Sequence, residues 1–231
     1  MDGDGEMKAY WEAQNRLKEN LERAKLRQGE RLRDWPSRHE LYCQHMMSLM
    51  MRSMQGGGHK VNSTFIPAAY PPCTASIASL SSMRIREMLL ETHHRERYLQ
   101  LRCIAPPCRF TAISVVMVDR HGDAVKVQLY QQPDESECPA KRVVDDGTIL
   151  LIKEPYFKVL SDGSYGVRVD HISDVVHVDA TSADVPASWR KPAVQLLARE
   201  RKAKGNECIK RIDNWGAIEA YGTSPKFSSI C

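Results

Sequence analysis

The stretch TAISVVMVDRHGDAVKVQLYQ, residues 111–131, decides the fold. Two short runs rich in Val, Thr111 to Val118 and Ala124 to Gln131, flank the tripeptide His121-Gly122-Asp123. β-Branched side chains suit a pleated surface, and Gly and Asp tolerate the positive φ of a tight turn, so the stretch reads as a β-hairpin. The pattern repeats outward. Tyr98 to Ile104 precedes it, and Thr148 to Lys153, Tyr156 to Leu160, Tyr165 to Asp170 and Val175 to Val178 follow. Ser161-Asp162-Gly163-Ser164 is a second hairpin signal. Residues 133–147, PDESECPAKRVVDDG, open with Pro and close with Gly, leaving room for one short helix or turn. Three strands, a helix and further strands suit an OB-type barrel, in which a small closed sheet hides its edges and a helix plugs one end. A different small barrel or half-barrel gives a similar string.

The flanks are helical in pattern. From Met7 to Leu32, Tyr10, Leu17, Leu21 and Ala24 recur at helical spacing on a background dense in both signs of charge. After Trp35-Pro36, residues 38–54 (RHELYCQHMMSLMMRSM) bring Met46, Met47, Met50, Met51 and Met54 together at three- and four-residue steps. Such a surface is adaptable and serves either a core contact or a partner groove. Gly56 to Gly58 end that helix, His59 to Ser82 reads as a linker, and Met83 to Glu96 as a short helical approach. From Pro186 the sequence is again helix-forming, with Pro192 at a helix start and Asp213 as N-cap of a second piece. The expected fold class is α+β: N-terminal helices over 1–55, a Gly/Pro-rich linker over 56–82, a small OB-like antiparallel barrel over 83–180, a helical hairpin over 186–222 and a tail over 223–231.

Composition bounds the function. A chain of 231 residues, 42% apolar and 27% charged, buries one core of about 100–150 residues. Its 33 basic and 29 acidic groups leave a net charge of +4, too little for a general polyelectrolyte binder, although a local basic patch stays open. The start, MDGDGEMKAY, lacks a signal peptide's basic and apolar regions, and no apolar run reaches the roughly 18 residues of a membrane span. The expectation is a cytoplasmic or nuclear protein without membrane contact. The seven cysteines contain no C-x-x-C pair, which argues against a disulfide framework and a zinc site, so neither metal nor cofactor is expected.

The phrases YPPC (70–73), LLETHHRERYLQLR (89–102), GDAVKVQLYQQ (122–132) and the run 147–176, with KEPYFK and RVDH inside it, resemble the N-terminal region of fungal proteins that join an OB-like barrel to tetratricopeptide (TPR) helices and a SET domain. The resemblance extends from about Ala198 to Tyr221 as a first TPR unit, implying packing roles for Gly205, Ala217 and Tyr221, with Cys208 where an aromatic is more usual. Lys202 and Asn206 stand where TPR proteins that grip the acidic C-terminal tails of chaperones hold the carboxylate, although the charged run ARERKAKGN around them also has the composition of plain solvated surface. In relatives a SET domain would transfer a methyl group from S-adenosylmethionine to lysine. Neither its Asn-His-Ser/Cys segment nor its Gly-Glu-Glu motif occurs here, so no catalytic residue is expected in this chain.

The expected function is therefore a non-catalytic module that positions a partner or substrate protein. The candidate binding face on the barrel comprises Arg102, Lys126, Tyr130, Lys153, Tyr156, Phe157, Lys158, Tyr165 and Arg168, a mixture of aromatics and cations. That mixture also suits single-stranded nucleic acid, the alternative reading. Asp119, His121 and Asp123, and again Asp170, His171 and Asp174, have metal-ligand side chains but also the composition of ordinary turns, as His93 and His94 have that of polar surface.

Overall fold

The computed structural model describes residues 3–54, 68–160, 162–190, 198–211 and 216. Among these, ten strands form one sheet. They are β1 (Ser81–Met83), β2 (Thr92–His93), β3 (Arg97–Cys103), β4 (Cys108–Arg109), β5 (Ile113–Val118), β6 (Ala124–Leu129), β7 (Ile149–Lys153), β8 (Tyr156–Val159), β9 (Tyr165–Val169) and β10 (Val175–Val178). Their order is β10-β7-β3-β5-β6-β9-β8-β2, with β1 parallel to β3 and β4 antiparallel to β5. β5 and β6 pair from Ile113↔Leu129 to Val118↔Ala124 around the turn at Gly122, which has φ +87°.

The sheet is open, which corrects the expected closed barrel. Its path ends on β10 and β2, and β6 and β9 run parallel, so the sheet is not purely antiparallel either. The β-rich runs indicate strands but not whether the sheet's edges meet. Leu99 and Leu101, Val115 and Met117, Val127, Ile152, Phe157 and Val167 all join one buried cluster, so the sheet curls around its core. Irregular segments cover what the open edges leave. Ile85, Met88 and Leu90 are fully buried in the core, and Leu32 and Trp35 pack against it, with Trp35 stacked 5.3 Å from Phe157.

The expected helical approach over 83–96 is instead a 3-10 turn at Ile85–Glu87 followed by β2, with Glu91 and Glu96 at φ 49° and 61°. Burying Ile85, Met88 and Leu90 together on a curled sheet overrides their helical spacing. The helix expected within 133–147 is α3, Ala140–Val143. The Asp119 carboxylate accepts from Ile85, His121 and Asp123 backbone N–H groups, fixing the hairpin turn.

Two N-terminal helices, α1 (Gly3–Leu26) and α2 (Arg38–Met54), fold back on the sheet. α1 packs on β8 through its last turns, where Ala24 is buried. α2 begins in a capping box: Ser37 Oγ accepts from Glu40 N (3.1 Å) and Glu40 Oε2 from Ser37 N (2.7 Å). It lies on β4, β5 and β6, burying Leu41 and His45, whose Nε2 meets the Pro106 carbonyl at 2.7 Å. Residues 68–82, the described part of the expected linker, are docked rather than free, as detailed below.

Contacts divide the chain into two units, Met1–Val178 and Asp179–Cys231. In the second, Arg190 donates to the Val185 and Ala183 carbonyls, and α4 (Ala198–Lys210) is the first helix of the expected hairpin. The second helix of that hairpin, with Ala217 and Tyr221, lies outside the described residues.

Candidate functional site

Strand register brings Lys126, Tyr156, Lys158 and Arg168 of the expected binding face together on the convex side of β6, β9 and β8, but leaves Arg102 on β3, Lys153 on β7, and Phe157 and Tyr165 against the core. Gln128 pairs with Arg168, Arg168 with Tyr156 and Tyr156 with His93, giving one row, while Lys126, Gly166 and Lys158 form the next. Gly166 is required there. A Cβ at this position would stand 2.5 Å from Leu160 Cδ1 and 2.7 Å from the Lys126 carbonyl oxygen.

Most of these side chains are spent inside the protein. Arg168, 4% exposed, meets Asp170 at 2.6 Å and lies 4.9 Å from the Tyr130 ring centroid. Lys126 is paired with Asp162 and donates to Ser164 Oγ at 3.2 Å. Burial works against the Asp162 charge, but the Lys126 ammonium holds its carboxyl below the usual range. Lys153 donates to the carbonyls of Cys73 (3.1 Å) and Ala75 (3.4 Å). Phe157 points the other way, into the core. Lys158 is nearly buried, 5.4 Å from the Tyr156 ring centroid; burial, with Arg168 and Lys25 adding to it, lowers its pKa against the pull of Glu91 and Asp170. Arg102, Tyr130, Tyr156 and Tyr165 are half-buried. In the second unit Lys202 and Asn206 are exposed on α4 and Gly205 is buried.

The structure adds residues that pattern reading missed. Residues 70–75 form a strap across the end of this face. The Tyr70 N–H reaches Asp170 Oδ2 at 3.4 Å, the Asp170 N–H donates to the Tyr70 hydroxyl at 3.1 Å, and the Cys73 N–H donates to Asp174 Oδ1 at 2.9 Å. His171 Nε2 bonds to the Tyr70 carbonyl. The Tyr70 ring stands edge-on to His93, Tyr156 and His171, at 4.5, 6.1 and 5.4 Å. His93 is stacked on Tyr156 at 5.5 Å, and burial, helped by Arg95, pushes its pKa down to about 4. Burial raises Asp174. His94 is structural: Nε2 accepts from Leu89 N at 2.9 Å, which makes Nδ1 the donor to the Pro155 carbonyl at 3.0 Å. The YPPC phrase was the available signal for the strap, since two prolines give no strand or helix period to read.

The second candidate surface is the outer side of α2. Met47, Met50, Met51 and Met54 are 65%, 60%, 57% and 74% exposed, and Phe110, 45% exposed, lies 5.0 Å from the Arg52 guanidinium carbon. At the other end of that side, Cys43 Sγ is 3.5 Å from His39 Nε2. Among the described residues no three His, Cys, Asp or Glu side chains converge as a metal site, and no helix is long and apolar enough to cross a membrane.

No family model matches the chain. It is similar to a protein of the fungus Gibberella zeae named "Methyltransferase", at 40% identity over 154 residues, which is 67% of this chain. The match covers 21% of that relative, so this chain spans about a fifth of its length.

Proposed function

We propose that the chain is a non-catalytic protein-interaction module of a TPR/SET-type methyltransferase relative, and that it holds a partner protein which a longer relative would present to its lysine methyltransferase domain. The observation that carries this reading is that α2 is apolar on two sides. Leu41 and His45 seat one side on the sheet, while Met47, Met50, Met51 and Met54 stand in solvent on another. Exposed apolar side chains grouped in a patch mark association surfaces, and unbranched methionines repack around varied partners. The fitting occupant is an apolar segment of a partner protein, with Arg52 and Phe110 continuing the surface.

Single-stranded nucleic acid has less support. A phosphate track needs accessible cations in series, whereas Lys126, Lys153 and Arg168 are engaged with the protein's own groups. The test is a photo-crosslinking side chain placed at position 50 or 51 in cells, with exposed Glu12 of α1 as control position. A discrete protein adduct, reproduced with purified partner and lost when Met54 and whichever of Met50 and Met51 the crosslinker does not replace become Gln, supports the reading. Adducts no stronger than at position 12 overturn it, and steeply salt-dependent oligonucleotide retention would put the alternative in its place.

A further inference from the structure

We propose that the end of the sheet under residues 70–75 is a peptide-binding groove, which takes an extended aromatic-Pro-Pro-small segment of a partner protein in place of the strap that fills it. Side chains of the sheet read the strap's backbone. The Tyr70 and Cys73 N–H groups go to the Asp170 and Asp174 carboxylates, the Tyr70 carbonyl to His171, and the Cys73 and Ala75 carbonyls to the Lys153 ammonium. Main-chain groups are common to all peptides, so contacts of this kind supply affinity while side-chain pockets supply specificity. The pocket here is aromatic. The Tyr70 ring stands edge-on to His93, Tyr156 and His171, and its hydroxyl accepts from the Asp170 N–H. Pro71 and Pro72 are exposed; they bring no N–H that needs a partner, and their fixed φ holds the segment extended. The Cys73 side chain is buried, so the fourth position asks for a small residue.

Two features make the strap exchangeable. Among the described residues no backbone–backbone hydrogen bond ties 70–75 to a strand, so the segment can leave without breaking a ladder. It also leaves the groove incompletely satisfied. Asp174 is fully buried, yet its Oδ2 has no hydrogen-bond partner among the described residues, and neither has the buried His93 Nε2, whose ring meets that of Tyr70 at 4.5 Å. An unmet buried acceptor is costly, and a segment with a different fourth or fifth residue can bring the donor that the strap lacks. The strap is tethered, so it competes at a high effective concentration and keeps the groove closed to weak ligands. None of these residues belongs to the docking side of α2, and either surface can fail without the other.

The experiment uses the whole chain and a fluorescein-labelled peptide AAYPPST, which is 68–74 with serine in place of Cys73. In the wild type, amide exchange followed by NMR should be about a hundredfold or more faster at the Cys73 N–H than in β5 and β6, and saturating peptide should speed it further without changing those strands. Fluorescence anisotropy should show saturable binding to Tyr70→Ala, and binding about tenfold or more weaker to the wild type, whose strap competes. In the Tyr70→Ala background, Lys153→Met should weaken binding about tenfold, and a peptide with alanine in place of its tyrosine should not bind. A Cys73 N–H that exchanges as slowly as β5 overturns the proposal, and this measurement needs no variant, so it decides even where Tyr70→Ala is unstable. Absence of saturable binding to a folded Tyr70→Ala, or equal binding of a scrambled peptide, overturns it too. A concentration-dependent wild-type dimer that the peptide dissociates gives the groove to a second copy of this chain and overturns the partner assignment.

Discussion

The convex face of β6, β9 and β8 and the outer side of α2 exchange the roles that their residue types suggest. The first carries Lys126, Arg168, Lys158 and Tyr156, the vocabulary of a binding surface, yet turns nearly all of it to internal pairing and stacking. The second carries methionines, the vocabulary of a core, and leaves them in solvent. A side chain's role is set by what lies within a few ångströms of it. Cations that have found a carboxylate in a dehydrated setting hold the fold together, and removing either partner strands a buried charge.

That contrast can be broken most severely at its polar centre. Asp170→Ala leaves the Arg168 guanidinium buried without its carboxylate and unties the Tyr70 N–H, and it should lower stability by about 3–5 kcal/mol in a urea titration. Arg168→Met combined with Asp170→Leu should recover most of the loss. A small effect of Asp170→Ala alone would mean that the pair is not structural.

Gly166→Ala comes next. The added methyl meets the Lys126 backbone and Leu160, and the expected cost is about 1–3 kcal/mol by the same measurement. Wild-type stability would show that β6 and β9 can separate without penalty.

Acid sharpens the comparison at the strap. His93 has a folded pKa of about 4 against 6.5 when free, so the unfolded chain binds the proton first and stability falls as pH drops from about 6.5 to about 4. His45 and His94, also lowered by burial, add to the same limb. With the solvent screening of a half-buried ring allowed for, His93→Gln should flatten the limb by about 1 kcal/mol, read from urea midpoints across pH. The smallest stability effect belongs to α2. Gln at Met50, Met51 or Met54 should change stability by no more than about 0.5 kcal/mol each, whereas the two changes made beside the crosslinker abolish the adduct.

Much of the sheet was legible in the chain. The Val-rich runs 111–118 and 124–131 and the turn at His121-Gly122-Asp123 led directly to β5 and β6, and Val175–Val178 is β10 residue for residue. The site was less legible. Lys158 and Tyr156 were named for their chemistry, but nothing near them in sequence says that Tyr70, some 90 residues earlier, closes over Tyr156. His93 looked like polar surface in LETHHRER until β2 placed it on Tyr156.

Local chemistry thus determined most of the strands and their turns, because β-propensity and positive-φ tolerance are properties of neighbouring residues, whereas the inward side of Phe157 was not among what it gave. Tertiary structure alone decided that the sheet stays open, that 70–75 is a strap rather than a linker, and that the cations on the convex face are paired while the methionines of α2 are not. Each of those outcomes depends on contacts between distant segments, whose geometry no local pattern encodes.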